Sequence, residues 1–373
     1  MRTFLDECDY LIHLVRCGIH GLQPQELPDG LDFEQVYQWG VYHHVANIAF
    51  YSVERLERKP DPKLYQTWQR CRDQAVVREI NQSYAAQELR EAMQNAGVRW
   101  LEVQGTGIKP LYPQPDFRTM SDLDFIIDPE SIPKVKEILE ALGYEYEDVY
   151  GAEVDAHRSP NINVEMHTEY FLQDCQYRPV MHSPFDSVDD QGQCRIDAFY
   201  LYNILHTAKH YFSSGCGIRR VLDAYYLDEV YGQSIDKAYV QGVLEQAEAA
   251  DFAGEFLSLA RAWFGKEERD IPRSRMEIYI WNSGLHGSGF NAQKNSLEKT
   301  VDTTAPFGKL KYLLRRLLGN REDLRTRYPV LERHKVLYPI CWLRRVFSAL
   351  KPGQIQYTKR EVRAVRSDRK SVV

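Results

Sequence analysis

The chain has 373 residues, 43% hydrophobic and 27% charged, with a formal net charge of −6. That is room for two or three domains at about 100–200 residues each, in a composition able to bury a core. No run approaches the ~18–20 apolar residues of a membrane span, and Asp6 and Glu7 stand where a signal peptide carries its apolar stretch.

Residues 1–95 read as a helical region. Phe33, Val36, Tyr37, Val41, then Val45, Ile48 and Ala49, follow the three-and-four spacing of amphipathic helices. Lys59-Pro60-Asp61-Pro62 breaks the pattern ahead of a long helix over about 63–95, with Leu64, Trp68, Ala75, Ile80, Tyr84 and Leu89 as its apolar positions. Gly97 closes it. The period then switches from helix to strand. Val98 to Val103 and Ser121 to Ile127 read as strands, the second with Leu123, Phe125 and Ile127 on one face. Ser131 and Pro133 open a helix that Gly143 ends. Tyr144 to Val149 reads as a third strand. Asn161 to His167 is the clearest one, with Ile162, Val164 and Met166 on one side and Asn163, Glu165 and His167 on the other. From about residue 196 the chain is helical again, with glycine turns at Gly215 and Gly217 and a glycine-rich stretch from Gly284 to Gly289. The layout predicts an α+β protein, a small mixed sheet over residues 96–195 between helical regions at 1–95 and 196–373.

The chemistry concentrates in the middle. A turn at Gly105-Thr106-Gly107 follows one predicted strand, and Asp122-Leu123-Asp124 lies in the next. Glycine lets a backbone approach phosphates, and N–H groups at a helix start bind anions. The Thr106 hydroxyl adds a further donor. Two carboxylates two apart on a strand share a face, about 6–7 Å from each other. That spacing suits one divalent ion, or two ions about 4 Å apart. Mg²⁺ takes carboxylate oxygens and keeps waters, and phosphoryl-type transfer asks for metal ions and an oxygen held in line. Glu165, polar-side on the clearest strand, supplies a third carboxylate. Arg118, four residues before Asp122, can hold a phosphate or brace the aspartates.

These residues resemble the uncharacterised bacterial nucleotidyltransferase family of the DNA polymerase β-like nucleotidyltransferase superfamily. The likeness is carried by Gln104-Gly105, Leu111-Tyr112-Pro113, Arg118, Asp122-Leu123-Asp124 and the apolar Phe125-Ile126-Ile127. Glu165-Met166-His167 and Leu205-His206-Thr207-Ala208-Lys209-His210 continue it, followed by Arg219 and Asp223. Arg327-Tyr328-Pro329, Leu337-Tyr338-Pro339 and Trp342-Leu343-Arg344-Arg345 extend it toward the C-terminus. The resemblance implies attack of an acceptor hydroxyl on the α-phosphate of an NTP such as ATP, with Mg²⁺, two ions by analogy, and release of pyrophosphate. Asp122 and Asp124 would hold metal, and Glu165 would be third ligand and base. Gly105, Thr106, Arg118 and Lys209 would bind nucleotide, Lys209 reaching the triphosphate from the helical region. Three positions depart from the family pattern. Gln104 stands for a frequent lysine, Thr106 for Gly or Ser, and Glu165 for Asp.

Other features are weaker. His206 and His210 share a helix face at the spacing of zinc-binding helices but lack the intervening glutamate of a metalloprotease; with His167 they could form a three-histidine site. The Gly284 to Gly289 stretch has no Lys-Ser/Thr after it and reads as a connection. Seven scattered cysteines with no Cys-x-x-Cys pair point to reduced thiols and a cytoplasmic setting. Lys309 to Lys370 carries 18 Lys and Arg against 5 acids. That basic stretch leaves open a nucleic-acid-binding role. A catalytically degenerate protein that binds nucleotide without turnover is also open. The acceptor, whether small molecule, protein or RNA, is not written in the sequence, and no membrane partner is expected.

Overall fold

The structure, a computed structural model, describes residues 4–149, 153–172, 175–188, 194–266, 273–284, 287 and 338–339. The chain divides into two compact units, Met1–Tyr211 with Cys216–His286, and Phe212–Gly215 with Gly287–Val373. Everything below concerns the first unit. The basic stretch from Lys309 to Lys370, the C-terminal motifs apart from Tyr338 and Pro339, and most of the Gly284 to Gly289 stretch lie outside the described residues.

Four helices come first: α1 (Phe4–His20), α2 (Phe33–Tyr42), α3 (Ala46–Val53) and α4 (Pro62–Asn95). The α4 start is written in Asp61-Pro62. Asp61 accepts from the N–H groups of Lys63 and Leu64, and Pro62 sits where its missing N–H costs nothing. Leu64, Trp68, Ala75 and Leu89 are buried as the spacing predicts, whereas Ile80 and Tyr84 are exposed. In that part of the helix the inward face is instead made by Gln82, Ala85 and Ala86, which are buried.

The sheet has five strands: β1 (Trp100–Glu102), β2 (Leu123–Ile127), β3 (Glu145–Val149), β4 (Glu153–Arg158) and β5 (Ile162–His167), in the order β1-β2-β5-β4-β3. Only β2 and β5 are parallel; the other pairs are antiparallel. A short helix, α5 (Gln104–Ile108), joins β1 toward β2, and α6 (Ile132–Ala141) crosses from β2 to β3. Two expectations are corrected. The second strand begins at Leu123, not Ser121, so Asp122 stands on the turn that enters it. The strand β4, whose alternating Val154 and Ala156 are flanked by charged residues, was not expected at all.

One sheet face is apolar. Leu123, Phe125 and Ile127 of β2 join Ile162, Val164 and Met166 of β5 and Val154 and Ala156 of β4. They pack on Ala85, Ala86, Leu89 and Met93 of α4 and Val135 and Leu139 of α6. With a side-chain period of two, burying these positions commits Asp124, Glu165, His167, Glu153 and Asp155 to the opposite face. On the C-terminal side follow α7 (Ile196–Ser213), α8 (Ile218–Tyr231), α9 (Lys237–Gln246), α10 (Ala250–Phe264) and α11 (Arg275–Trp281). The fold is a small mixed sheet flanked by helices, as the sequence predicts. No described helix is long and apolar enough to cross a membrane.

Candidate active site

The parallel pairing of β2 with β5 sets Asp124 directly opposite Glu165. Adjacent strands are about 4.8 Å apart, so register alone makes two carboxylates neighbours on the polar face. On β4, Glu153 is the cross-strand partner of His167 and Asp155 that of Glu165. Oxygen of Asp124, oxygen of Glu165 and nitrogen of His167 lie within 4.8 Å of one another. Asp122, one residue before the strand, is half-buried and close enough to Asp124 and Glu165 to feel their charges.

The turn that delivers Asp122 is held from three sides. Arg219 of α8 donates to the carbonyl of Thr119 and to its hydroxyl, the latter at 2.9 Å. Gln82 of α4 donates to the carbonyl of Met120 at 3.1 Å, and Asn163 donates to that of Ser121 at 3.1 Å. Arg118 forms a bidentate pair with Asp223 of α8, at 2.7 and 3.0 Å, and Tyr112 donates to the same carboxylate at 2.7 Å. Both ends of this pair are buried, at 5% and 4% side-chain exposure. Such a fork fixes position as well as charge. The Thr106 hydroxyl accepts the N–H of Asp124 at 3.0 Å. It therefore steadies the strand start and does not line the cleft.

Above the acids is a cleft of about 360 Å³. Its floor is Asp122, Asp124, Glu165 and His167; its other walls include Gln104, Gly105, Tyr170, Tyr202, Lys209 and Arg220. Lys209 of α7 and Arg220 of α8 are partly exposed. Their side chains make no hydrogen bond or ion pair among the described residues, so two cations face a floor of carboxylates. A Cβ at Gly105 would come within 2.9 Å of the Met120 sulfur, which would have to shift; at Gly107 it would lie 2.7 Å from the Phe199 ring and 2.8 Å from the Glu102 carbonyl oxygen, and packing requires the glycine. Gln104 opens α5 with φ +48°, a backbone state unusual for a side-chain-bearing residue.

The electrostatics follow from crowding like charges in a half-buried place. Burial, then the charges of Asp124 and Glu165, push the Asp122 carboxyl up to about 7. Glu165 goes the other way: the imidazole of His167 beside it holds it below its ordinary value against the effect of burial, helped by Asp122 and Lys209. Burial opposes a proton on His167, but Asp124, Glu153 and Glu165 outweigh it and raise the imidazole well above its ordinary value. Burial and the neighbouring Arg118 bring the Arg219 guanidinium down to about 9, still a cation at neutral pH.

The fold thus gathers Asp122, Asp124, Glu165, Gly105, Arg118 and Lys209 at one cleft. Arg118 is engaged with Asp223, and Thr106 with the Asp124 backbone. No three-histidine site forms. His206 and His210 pair with each other at 3.2 Å, and the only group of three or more potential metal ligands among the described residues is Asp124, Glu165 and His167. Three residues of the site were not assigned to it from the sequence. His167 was weighed only with His206 and His210 and as part of the family-like Glu165-Met166-His167 run. Glu153 is meaningful only once β4 is known. Arg220 sits beside Arg219 after a glycine turn, a signal equally common on solvated helices.

A family model described as "Uncharacterised nucleotidyltransferase" matches residues 29–265. The chain belongs to that family. The match covers the sheet, the acids, the Arg118–Asp223 pair and both free cations. No curated protein matches, and no solved structure does. The family is described as nucleotidyltransferases, and the match includes the carboxylate–imidazole group Asp124, Glu165 and His167.

Proposed function

We propose that the protein transfers an NMP group from an NTP to a hydroxyl of its acceptor and releases pyrophosphate. In this reading residues 96–195 are the nucleotidyltransferase core, between helical regions at 1–95 and 196–373, and the protein works in the cytoplasm. The observation that carries it is the in-register pair Asp124 and Glu165, with Asp122 beside it and Lys209 and Arg220 facing it across the cleft. The donor set fits a divalent ion: carboxylate oxygens converge, and a buried imidazole nitrogen among them has no hydrogen-bond partner. Asp122, Asp124 and Glu165 would hold Mg²⁺, which when bound supplies charge neutralisation at the phosphates.

The chain's own residues do the rest. Lys209 and Arg220 draw the triphosphate oxygens toward α7 and α8, so the nucleotide lies across the cleft. The Gly105 backbone, without a side chain, leaves room beside it. Arg118, Arg219 and Gln82 fix the turn that aims Asp122, so the acids do not reorganise during the reaction. Tyr170 and Tyr202 close the apolar end and exclude water. The acceptor oxygen bonds to the α-phosphorus as the bond to the bridging oxygen of the β-phosphate breaks. The hydroxyl proton goes to a carboxylate oxygen of Glu165, and pyrophosphate leaves.

The test is a screen of the four NTPs with Mg²⁺ for binding, followed by pyrophosphate release with small-molecule, protein and RNA acceptors. Asp124→Asn should lower transfer by more than ~100-fold, beyond the usual cost of losing an outer partner of a metal ligand. A wild-type chain that neither binds nor turns over any NTP with divalent metal sinks the proposal. Tight NTP binding without pyrophosphate from any acceptor would instead favour a nucleotide-binding protein that has lost turnover.

A further inference from the structure

His167 ends β5 on the same face as Glu165, two residues away, and its ring is held by one nitrogen only. Nδ1 is 2.9 Å from an oxygen of Glu153, its cross-strand partner. Nε2 is fully enclosed and has no hydrogen-bond partner. It lies 3.6 Å from Asp124 and 3.5 Å from Glu165, too far for a good hydrogen bond to either. A buried ring nitrogen without a hydrogen bond is unfavourable, and here it stands between two carboxylates.

The distances make sense if an ion belongs in the gap. Ligands on one octahedral ion at about 2.1–2.2 Å are about 3 Å apart when adjacent and about 4.3 Å when opposite. Separations of 3.5 and 3.6 Å fall between these limits. The far side of the ring is also prepared, because metal-bound histidines donate their other N–H to a carboxylate, which fixes the tautomer and makes the free nitrogen a better donor. Glu153 stands in that place.

We propose that His167, oriented by Glu153, is a metal ligand together with Asp124 and Glu165, and that the site therefore selects Mn²⁺ over Mg²⁺. This rests on the metal-dependent reading above. Mg²⁺ prefers an all-oxygen shell and gains little from an imidazole, whereas Mn²⁺ accepts one and exceeds Mg²⁺ wherever nitrogen enters the shell. Asp122, on the turn, is left to the nucleotide side of the ion or to a second ion.

The experiment uses the full chain with Mn²⁺, alone and with a non-hydrolysable α,β-methylene ATP analogue. Electron spin-echo spectroscopy of bound Mn²⁺ should show modulation from a directly coordinated ¹⁴N. The modulation should vanish in His167→Gln and persist in His157→Ala, whose ring is exposed on β4. Titration should show Mn²⁺ at least ~10-fold tighter than Mg²⁺ in the wild type and within ~3-fold in His167→Gln. Glu153→Gln keeps His167 and should weaken Mn²⁺ by about 10–100-fold, the usual effect of an outer partner. Bound Mn²⁺ without nitrogen modulation, or an unchanged Mn²⁺/Mg²⁺ ratio in a folded His167→Gln, would overturn the assignment and leave nucleotidyl transfer standing. Failure of the wild type to bind either ion, with or without the analogue, removes both.

Discussion

The Arg118–Asp223 pair offers the sharpest test of how the site is held. Asp223→Ala removes three contacts at once: two charge-assisted bonds from Arg118 and one from the Tyr112 hydroxyl. Bonds to charged groups contribute about 1.5–3 kcal/mol each, so the gross loss is large. Water entering the space offsets part of it. The remaining guanidinium is buried, has lost its counter-ion and lies near the buried Arg219, whose charge it opposes. Breaking one partner of a buried pair costs about 3–5 kcal/mol, and this neighbour places the expectation at the upper end. Replacing both partners, Arg118→Met with Asp223→Leu, leaves no orphaned charge and should recover all but about 1–2 kcal/mol. Urea unfolding of the wild type, Arg118→Met, Asp223→Leu and their combination gives the coupling directly. Even where stability returns, transfer should not, because the turn before Asp122 has lost its guanidinium anchor. A cost below ~1 kcal/mol for Asp223→Ala, or a double variant as unstable as the two singles added, would refute the argument.

Other outcomes follow from the same geometry. Gly107→Ala places a methyl against the Phe199 ring and the Glu102 carbonyl and should cost about 1–3 kcal/mol in urea unfolding. Lys209→Ala and Arg220→Ala should each raise KM for the NTP with a smaller change in kcat, and the effect should shrink as salt rises; a pure kcat loss would move them from nucleotide binding to another role. Acid should destabilise the fold through His43, which burial pushes down to about 3. Its folded value lies below the unfolded one near 6.5, so between about 6.5 and 3 the unfolded chain binds the extra proton and stability falls as pH falls. The slope is at most ~1.4 kcal/mol per pH unit, or about 2 kcal/mol by pH 5. His206, also held well below its ordinary value by burial, acts in the same direction. Urea midpoints at pH 7.5 and 5.0 check this, and His43→Gln should shrink the difference.

What could be read from the sequence depended on whether the signal was local. Asp61-Pro62 specified the start of α4, and the alternation of Ile162 to His167 specified which face of β5 carries Glu165, because capping and pleat act over a few residues. The strand β4 was hidden, since Glu153 to Arg158 has polar side chains at four of six positions, three of them charged, and its identity comes from pairing with β3 and β5. With β4 unseen, nothing indicated that His167 had a carboxylate behind its ring. Roles blurred for the same reason. Arg118, Lys209 and Arg220 are three cations near one set of acids, and their spacing does not say which one a buried aspartate will claim. The fold decides it through α8, where Asp223 comes up against the Arg118 side chain while Arg220, three residues earlier on the helix, turns toward the cleft. A buried aspartate neutralises the arginine it meets: Asp223 is taken up by Arg118, which leaves Lys209 and Arg220 without an acid partner among the described residues. In the proposed function these two would meet the nucleotide and Arg118 would hold the scaffold, which predicts that Arg118→Lys will cost stability while Lys209→Arg will be tolerated.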